Sequence, residues 1–437
     1  MPSPTCATPF HNYLLFLEEL QSLIQQWKTL PTDMLRLRSH DALNGLATKT
    51  LVRLVPPEDR KASSAFFTDS EQRHRLIAAC SSQSSALAYD PTCGAGDLLI
   101  EWAKTLPVHQ SLRATLDAWG QVLYGSDIHE EFVLVAKARL VLLAISLHGG
   151  TQQLTIEIKN EFPNIAVRDC FDNLELVKEA THVLMNPPYH PIPTPQKHRD
   201  WSSGQVSFAA VLLAECVETA VNGTEIHCLL PDVLRSGSRY DKWRKIIKQR
   251  AALTRCESIG QFAATVDIDV CICSFLVGPP EVVSQRNIPW WPKHTGTTFQ
   301  DHCQINVGSV VPHRPTPGGP LFPFIDATTL PQSGQYDSKN ANKIFFSGTT
   351  CLPPFVAVRR TSRPENRHRI EGILIVGEEP IAVENHILVL KPHQNALVTC
   401  EQIITSLADA ESCNWINDRI RCRHLTVTAI RETPWKT

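Results

Sequence analysis

The stretch Thr181-His-Val-Leu-Met-Asn-Pro-Pro-Tyr189 joins an apolar run to a stiff polar turn. The run predicts a buried strand, and the two prolines end it because proline cannot donate to a strand ladder. Asn186 then presents an amide oxygen, the carbonyl of Pro187 a second acceptor, and Tyr189 a flat ring. This combination suits a planar ring that carries an exocyclic amino group. The alternative is a proline turn that only caps a core strand.

A glycine-rich turn lies earlier in the chain. The sequence Asp90-Pro91-Thr92-Cys93-Gly94-Ala95-Gly96-Asp97 separates a predicted strand, Ser84–Tyr89, from a predicted helix, Leu98–Leu106. Glycines let the backbone approach a ligand closely, and a helix N-terminus adds positive partial charge. The order of strand, glycine turn and helix therefore predicts a ligand pocket.

Two further acidic residues follow predicted strands. Asp127 comes after the strand Gln121–Gly125, and Asp169 comes after the strand piece Asn164–Val167. An acidic residue one βαβ unit beyond a glycine turn suits a bidentate contact with a ribose diol. Otherwise Asp127 caps the helix that begins at Glu130, and Asp169 is a turn residue.

Alternating strands and helices predict an α/β fold with a mostly parallel sheet that is covered on both faces. The acidic and glycine signals fall at the carboxyl ends of strands, where ligands collect in such sheets. The other predicted elements are helices over Ser70–Ala79, Ser207–Val221 and Tyr240–Gln249, and strands over Leu154–Lys159, Glu225–Leu230, Leu253–Phe262 and Val270–Val277.

The chain divides into three predicted parts. An amphipathic helix over about Phe10–Thr29 packs on the catalytic domain or on a partner, and the charged segment Arg53–Ala62 is predicted as a linker. Prolines from 279 to 292 mark a boundary, beyond which only Glu401–Ala408 predicts a helix. The parts are an N-terminal helical segment, residues 1–60, a catalytic domain, residues 61–280, and a β-rich domain, residues 281–437.

Composition excludes several classes of protein. The net charge of −2 argues against a surface coated with basic residues. The 14 cysteines contain no Cys-x-x-Cys pair, so we expect reduced, mostly buried thiols and no metal site. We find no signal peptide in Met1–Phe10 and no apolar stretch that would span a bilayer, and we expect a cytoplasmic protein without membrane contact.

The order of these blocks resembles the γ-class DNA adenine-N6 methyltransferases, the modification enzymes of bacterial restriction systems. The blocks are Phe66-Phe67-Thr68, Asp90 to Gly96, Asp127, Asp169, Asn186 to Tyr189, and Phe262. The resemblance covers roughly residues 60–280 by motif and the rest by architecture only. It implies a Rossmann-like, S-adenosylmethionine-dependent methyltransferase fold with a mixed, mostly parallel seven-stranded sheet, followed by a target-recognition domain.

The same resemblance implies a role for each matching residue. Asn186 and the Pro187 carbonyl would hold the target amino group, Tyr189 would stack on a flipped adenine, and Phe262, otherwise a core residue, would flank it. Asp127 would bind the ribose of S-adenosylmethionine, and Asp169 its adenine amino group, although Cys170 stands where many members carry an aromatic residue. The remaining cofactor contacts would be Phe67, Thr68, Asp90, Pro91, Gly94, Gly96 and Phe171.

Two basic runs in the β-rich domain are candidate contacts for double-stranded DNA. The alternative for each run is a solvated loop. The candidate arginines are Arg359, Arg360, Arg363, Arg367 and Arg369 in the first run, and Arg421 and Arg423 in the second.

Two other functions stay open. Enzymes that methylate ribosomal RNA or a protein glutamine also use Asn-Pro-Pro-Tyr, but they usually lack a large domain after the catalytic core. The chain could also be a methyltransferase subunit that depends on a partner, either a cognate restriction endonuclease or another subunit of a defence complex.

Overall fold

The computed structural model describes residues 8–27, 31–62, 68–78, 80, 86–148, 155–263, 266–312, 318–366, 369–394 and 396–436. These residues fall into two units. The first contains the described residues of Met1–Pro231, Lys242–Ile259 and Val270–Ile288, and the second those of Asp232–Asp241, Gly260–Asp269 and Pro289–Thr437. Two short segments of the predicted catalytic domain therefore group with the C-terminal part. The three-part division stays a prediction.

The first unit is built on a seven-stranded sheet with the order β3-β2-β1-β4-β7-β9-β8. Neighbours from β3 to β7 run parallel, whereas β9 is antiparallel to β7. This topology confirms the predicted Rossmann-like methyltransferase fold. The strands are β1 Ala88–Asp90, β2 Leu123–Asp127, β3 Ile165–Val167, β4 His182–Met185, β5 Pro191–Pro193, β6 Gln205–Ser207, β7 Glu225–Pro231, β8 Ala251–Ala263 and β9 Val266–Val277.

Helices cover the sheet. Helix α8 is buried over most of its length because its apolar residues lie on all sides. The first helices are α1 Leu14–Gln26, α2 Thr32–Leu43, α3 Leu46–Leu54, α4 Pro57–Ala62, α5 Ser70–Ile77, α6 Asp97–Ala103 and α7 Leu112–Val122. They are followed by α8 Glu130–His148, α9 Glu175–Glu179, α10 Phe208–Thr219, α12 Asp241–Arg250 and α13 Pro280–Arg286, whereas α11 Asp232–Ser236 belongs to the second unit.

The N-terminal helix α1 packs on α8 of the same unit. Phe16, Leu17, Leu20 and Leu23 bury its apolar stripe. Just before it, the ring of Phe10 lies 4.7 Å from that of Phe132 on α8. Of the two alternatives left open by the sequence, the structure shows packing on the catalytic core.

Two sequence predictions in this unit are wrong. The segment predicted as a linker, Arg53–Ala62, contains the end of α3 and all of α4. Proline is tolerated in the first turn of a helix, and Glu58 and Asp59 favour a helix N-terminus there. The strand predicted over Leu154–Lys159 is also absent from its described residues. Ile158–Asn160 form a 3₁₀ turn in which Ile158 alone is buried.

The second unit is rich in strands, as predicted. A five-stranded sheet has the order β10-β17-β14-β15-β12, and a three-stranded sheet the order β13-β11-β16. The strands are β10 Cys303–Val307, β11 Leu321–Ile325, β12 Gly334–Asp337, β13 Lys343–Phe345, β14 Phe355–Arg359, β15 Gly372–Val376, β16 Ala382–Val383 and β17 Ile387–Pro392. Four helices accompany them among the described residues, namely α11 Asp232–Ser236, α14 Ala396–Ala408, α15 Ala410–Arg419 and α16 Val427–Arg431.

Candidate active site

A cavity of about 360 Å³ lies in the first unit at the carboxyl ends of β1, β2 and β4. Its volume is in the range of small-ligand sites. Three acidic residues predicted as cofactor ligands and one predicted catalytic residue line it together. The lining residues are Thr68, Asp90, Pro91, Thr92, Cys93, Gly94, Asp97, Leu98, Asp127, Ile128, His129, Phe132, Arg168, Asp169, Cys170, Asn186, Pro188, His190 and Phe208.

The glycine turn forms one wall because its backbone takes conformations that favour glycine. Gly94 has a φ of 50° and Gly96 a φ of 83°. A Cβ atom on Gly96 would lie 2.9 Å from that of Ala136 on α8. Gly96 therefore allows α6 and α8 to approach each other, although it does not itself line the cavity.

Asp127 connects two loops at the cavity. One carboxylate oxygen accepts from the backbone N–H of Gly94 at 3.0 Å, and the other from that of His129 at 2.9 Å. Burial raises the pKa of Asp127 above its usual value, and the hydrogen bond from His129 acts in the opposite direction. Burial also raises the pKa of Asp90, whose Oδ1 accepts from the N–H of Thr92 at 3.0 Å. Two carboxyl groups with raised pKa values thus face one cavity.

Three side chains form a hydrogen-bonded chain at Asn186. Its Nδ2 donates to the hydroxyl of Thr68 at 2.9 Å, and its Oδ1 accepts from the hydroxyl of Tyr189 at 2.7 Å. The Tyr189 hydroxyl also lies 3.4 Å from the carbonyl of Leu229, and burial raises its pKa. The orientation of the Asn186 amide is therefore fixed from both ends.

The wall near Asp169 contains residues that sequence reasoning missed. Oδ1 of Asp169 accepts from the N–H of Phe171 at 2.8 Å, so the residue also stabilises its own turn. Phe171 is not among the lining residues; its ring packs 5.1 Å from that of Phe208, which does line the cavity. Phe208 and His190 adjoin the β5–β6 hairpin, and no short motif in the sequence marks them.

The cavity fits S-adenosylmethionine in its chemistry. The hydroxyl oxygen of Thr92 is buried and has no hydrogen-bond partner among the described residues, so a polar ligand would satisfy it. Carboxylates of Asp127 and Asp169 can accept from hydroxyl or amino groups and complement a cationic sulfonium.

Other predicted residues of the site are not among the described residues that line this cavity. Phe67 lies outside the described residues. Phe262 is buried, with 4% of its surface exposed, and belongs to the second unit. Pro187 follows Asn186 directly but does not line the cavity in this structure. The roles assigned to these residues stay predictions.

In the second unit, the two basic runs come together. Thr361 and His424 form an antiparallel bridge, and the N–H of Ser362 donates to the carbonyl of Arg423 at 2.9 Å. Arg363 and Arg423 are exposed beside this bridge. Sequence analysis did not predict that these two distant runs are neighbours.

Apart from Arg363, the described arginines of these runs are partly or fully engaged within the unit, and Arg423 pairs with Asp267. Arg359 and Arg360 are half-buried and donate to backbone carbonyls. Arg421 pairs with Asp269 and Glu365, each at 3.2 Å. Arg367 lies outside the described residues.

Arg369 is a correction to the predicted DNA contacts. It is 2% exposed, and its guanidinium donates to Asn417 and to the carbonyls of Ile420 and Cys422. A guanidinium held in this way does not reach a phosphate. We therefore do not retain Arg369 among the proposed contacts.

Comparison with known proteins supports the fold and the motif assignment. Residues 44–207 match the family described as N-6 DNA Methylase. The matched segment is thus similar to N-6 DNA methylases. It contains the glycine turn, Asp127, Asp169 and Asn186, that is, the residues that surround the cavity.

Solved structures are also similar to this chain, and the first of them supports its fold. The type IIL restriction-modification enzyme MmeI, in complex with DNA, is 13% identical with a TM-score of 0.54, over 89% of this chain and 70% of that one. A modification subunit of a putative type I restriction enzyme from Vibrio vulnificus YJ016 is 16% identical with a TM-score of 0.39, over 57% of this chain. The match spans about half of that subunit, 51% of its length. No curated protein matches the chain.

Among the helices of the described ranges, none is both long enough and apolar enough to cross a membrane.

Proposed function

We propose that this protein transfers a methyl group from S-adenosylmethionine to N6 of an adenine in double-stranded DNA, within a bacterial restriction-modification or phage-defence system. The observation that carries the proposal is Asn186, with its amide oriented by two hydrogen bonds, on the wall of an acidic cavity. The match of residues 44–207 to N-6 DNA methylases supports the choice of adenine N6.

The cofactor would occupy the cavity beside the glycine turn. Asp127 would accept from the ribose hydroxyls and Asp169 from the adenine amino group, while Asp90, Pro91 and Gly94 shape the wall between them. Phe67 and Thr68 would cover the methionine end, and Gly96 and Phe171 would support the wall from behind. When bound, S-adenosylmethionine supplies an electrophilic methyl group on its sulfonium sulfur.

The protein's contribution to the reaction is orientation. An amino group conjugated to a ring is a poor nucleophile, because its lone pair is delocalised. The Asn186 oxygen and the Pro187 carbonyl would accept hydrogen bonds from the two N–H groups of the target amino group. These bonds would draw the nitrogen toward tetrahedral geometry and free its lone pair. Holding two reactants in line in this way contributes roughly 7–11 kcal/mol to a lowered barrier.

A target adenine inside a duplex must first be extruded, at a cost of a few kcal/mol. Stacking on Tyr189 would return roughly 1–3 kcal/mol, and Phe262 would add an apolar contact. Arg363 and Arg423, with contributions from Arg359, Arg360, Arg367 and Arg421, would contact phosphates through the second unit. A cognate endonuclease or another defence-complex subunit is a further candidate partner.

The test is a transfer assay with labelled S-adenosylmethionine and separate pools of duplex DNA, ribosomal RNA and protein. We expect label in DNA, recovered as N6-methyladenine after digestion and lost in Asn186→Ala. Asn160→Ala, at an exposed asparagine that donates to Glu157, serves as the matched control and should keep activity. Label in RNA or protein alone would contradict the DNA substrate.

A dependence on a partner is tested in the same assay. If the purified chain binds the cofactor but labels no pool, the proposal that it acts alone is wrong. Addition of the products of neighbouring genes should then restore N6-methyladenine in DNA if the chain is a methyltransferase subunit.

A further inference from the structure

A second cluster of chemically reactive side chains lies at the opposite ends of the strands from the cavity. His182 begins β4, and Glu225 and His227 lie on β7. The two strands pair in parallel with His182 opposite Glu225, so all three side chains gather at the amino ends. Asn186 follows four residues after His182, which places the cluster roughly 13 Å from it at strand geometry.

The ligand atoms of this cluster converge. Nε2 of His227 lies 3.1 Å from Oε2 of Glu225, and Nε2 of His182 lies 3.9 Å from the same oxygen. The three candidate ligand atoms lie within 4.8 Å of one another. Ligands of a tetrahedral zinc ion at 2.0–2.2 Å lie about 3.3 Å apart, so a contraction of up to about 1.5 Å would bring the three side chains to ligand spacing, with water as the fourth ligand.

The hydrogen bonds of His182 indicate which nitrogen carries its proton. The hydroxyl of Thr181 donates to the carbonyl of Leu87 at 3.0 Å and lies 3.0 Å from Nδ1 of His182. Since that hydroxyl has one hydrogen, Nδ1–H of the imidazole is the donor. In a neutral imidazole the lone pair of Nε2 then faces the Glu225 carboxylate, and a cation between them would attract both groups.

Outer contacts and exposure also fit a metal site. Nδ1 of His227 lies 2.9 Å from the hydroxyl of Ser274, and metal-ligating histidines usually donate their other N–H to such a group. Both imidazoles are almost fully buried, whereas the Glu225 side chain is 26% exposed. A metal ion could therefore reach the histidines past the carboxylate.

We propose that His182, Glu225 and His227 bind a divalent transition-metal ion of the zinc type, which joins the amino ends of β4 and β7. Two imidazoles and one carboxylate suit zinc, cobalt or nickel better than magnesium or calcium. The ion would be structural: it would stabilise the two strands whose opposite ends carry Asn186 and Pro231. Cysteine spacing did not predict it, because none of these ligands is a cysteine.

The experiment is a titration of the full-length, chelator-treated protein with Co²⁺, followed by absorption spectroscopy and by thermal unfolding. We expect one Co²⁺ ion to bind tightly to each protein molecule. The bound ion should show visible absorption bands typical of nitrogen and oxygen ligands, and it should raise the unfolding temperature. Thiolate-to-metal charge transfer as the sole signal would place the ion on cysteines and overturn the proposal. Absence of any tight binding would overturn it as well.

Variants locate the site. His227→Gln and Glu225→Gln should abolish this tight binding, and Ser274→Ala should weaken it by about 10–100-fold. The matched control is His198→Gln, which removes another buried histidine whose Nε2 lies 2.7 Å from Glu215. It should keep Co²⁺ binding. Cofactor binding by each variant shows that the fold is intact, and unchanged Co²⁺ affinity in a folded His227→Gln protein would refute the assignment.

Discussion

The hydroxyl of Tyr189 donates to Oδ1 of Asn186 at 2.7 Å. Oδ1 is the same atom that we propose as an acceptor for the target amino group. A carbonyl oxygen has two acceptor positions, so it can receive both hydrogen bonds. Under the proposed function Tyr189 would therefore have two separable roles: its hydroxyl orients Asn186, and its ring would stack on the base.

Two substitutions separate these roles. Tyr189→Phe keeps the ring and loses the hydroxyl, so kcat should fall by about tenfold, equivalent to about 1.4 kcal/mol, with little change in KM for DNA. Tyr189→Ala also loses the ring, so KM for DNA should rise in addition. Steady-state kinetics on duplex DNA measures both. A Tyr189→Phe enzyme with wild-type kcat would contradict the orienting role.

Thr68 fixes the other end of the same amide. Its hydroxyl accepts from Nδ2 of Asn186 at 2.9 Å, which directs Oδ1 away from Thr68. Thr68→Val has a similar shape but no acceptor, so we expect kcat to fall by about tenfold because the amide can rotate. Thr68→Ser keeps the acceptor and should stay within about threefold of wild type. Equal loss in both variants would indicate a packing role instead.

Asp127 should make cofactor binding dependent on pH. Burial raises its pKa, so this carboxyl takes up a proton at a higher pH than an ordinary aspartate does. The ionised form is the better acceptor for ribose hydroxyls, and we expect the Kd for S-adenosylmethionine to increase as the pH falls through that raised pKa. Calorimetry in buffers of different ionisation enthalpy should also detect proton release on binding.

The matched variant is Asp127→Asn. It keeps the side-chain shape and one acceptor oxygen, replaces the other oxygen with an NH2 donor and cannot ionise, so it should bind the cofactor about 10–100-fold more weakly, with a flatter pH profile. If the wild-type profile persists in Asp127→Asn, another group is responsible, and Asp90, whose pKa burial also raises, is the next residue to test.

The stability of the first unit should depend on Asp97. Its Oδ1 accepts from Arg139 at 2.9 Å and from Arg73 at 3.2 Å, and both arginines are fully buried. Asp97→Ala leaves two buried guanidiniums without this carboxylate and should cost about 3–5 kcal/mol of unfolding free energy. Asp117→Ala removes the exposed pair with Arg113 and should cost less than about 1 kcal/mol. Urea unfolding measures both.

The sequence predicted the cavity from the chemistry of strand ends. Asp90, Asp127 and Asn186 follow strands that run parallel, and the carboxyl ends of such strands meet at one edge of the sheet. Sequence analysis could not predict that Phe208 and His190 line the cavity, because they are brought to its wall by a hairpin that no sequence motif marks.

The exposure of the arginines in the two basic runs could not be predicted either, because it depends on contacts between distant parts of the chain. The sequence identifies the arginines, but the burial of each arginine depends on the bridge between Thr361 and His424. These two residues are separated by more than 60 residues of chain. That bridge leaves Arg363 and Arg423 exposed, while Arg369 lies in the interior. Neither outcome can be read from the run itself.

The salt dependence of DNA binding tests this distinction. Each phosphate contact contributes about −0.9 to the slope of log Kobs against log salt concentration. The double variant Arg363→Gln, Arg423→Gln should weaken binding to all duplexes and reduce the magnitude of the slope by about 2. Arg53→Gln, at an exposed arginine of α3 in the first unit, is the control and should leave the slope unchanged. A double variant with the wild-type slope would show that these two arginines do not contact phosphates and that DNA binds through another surface.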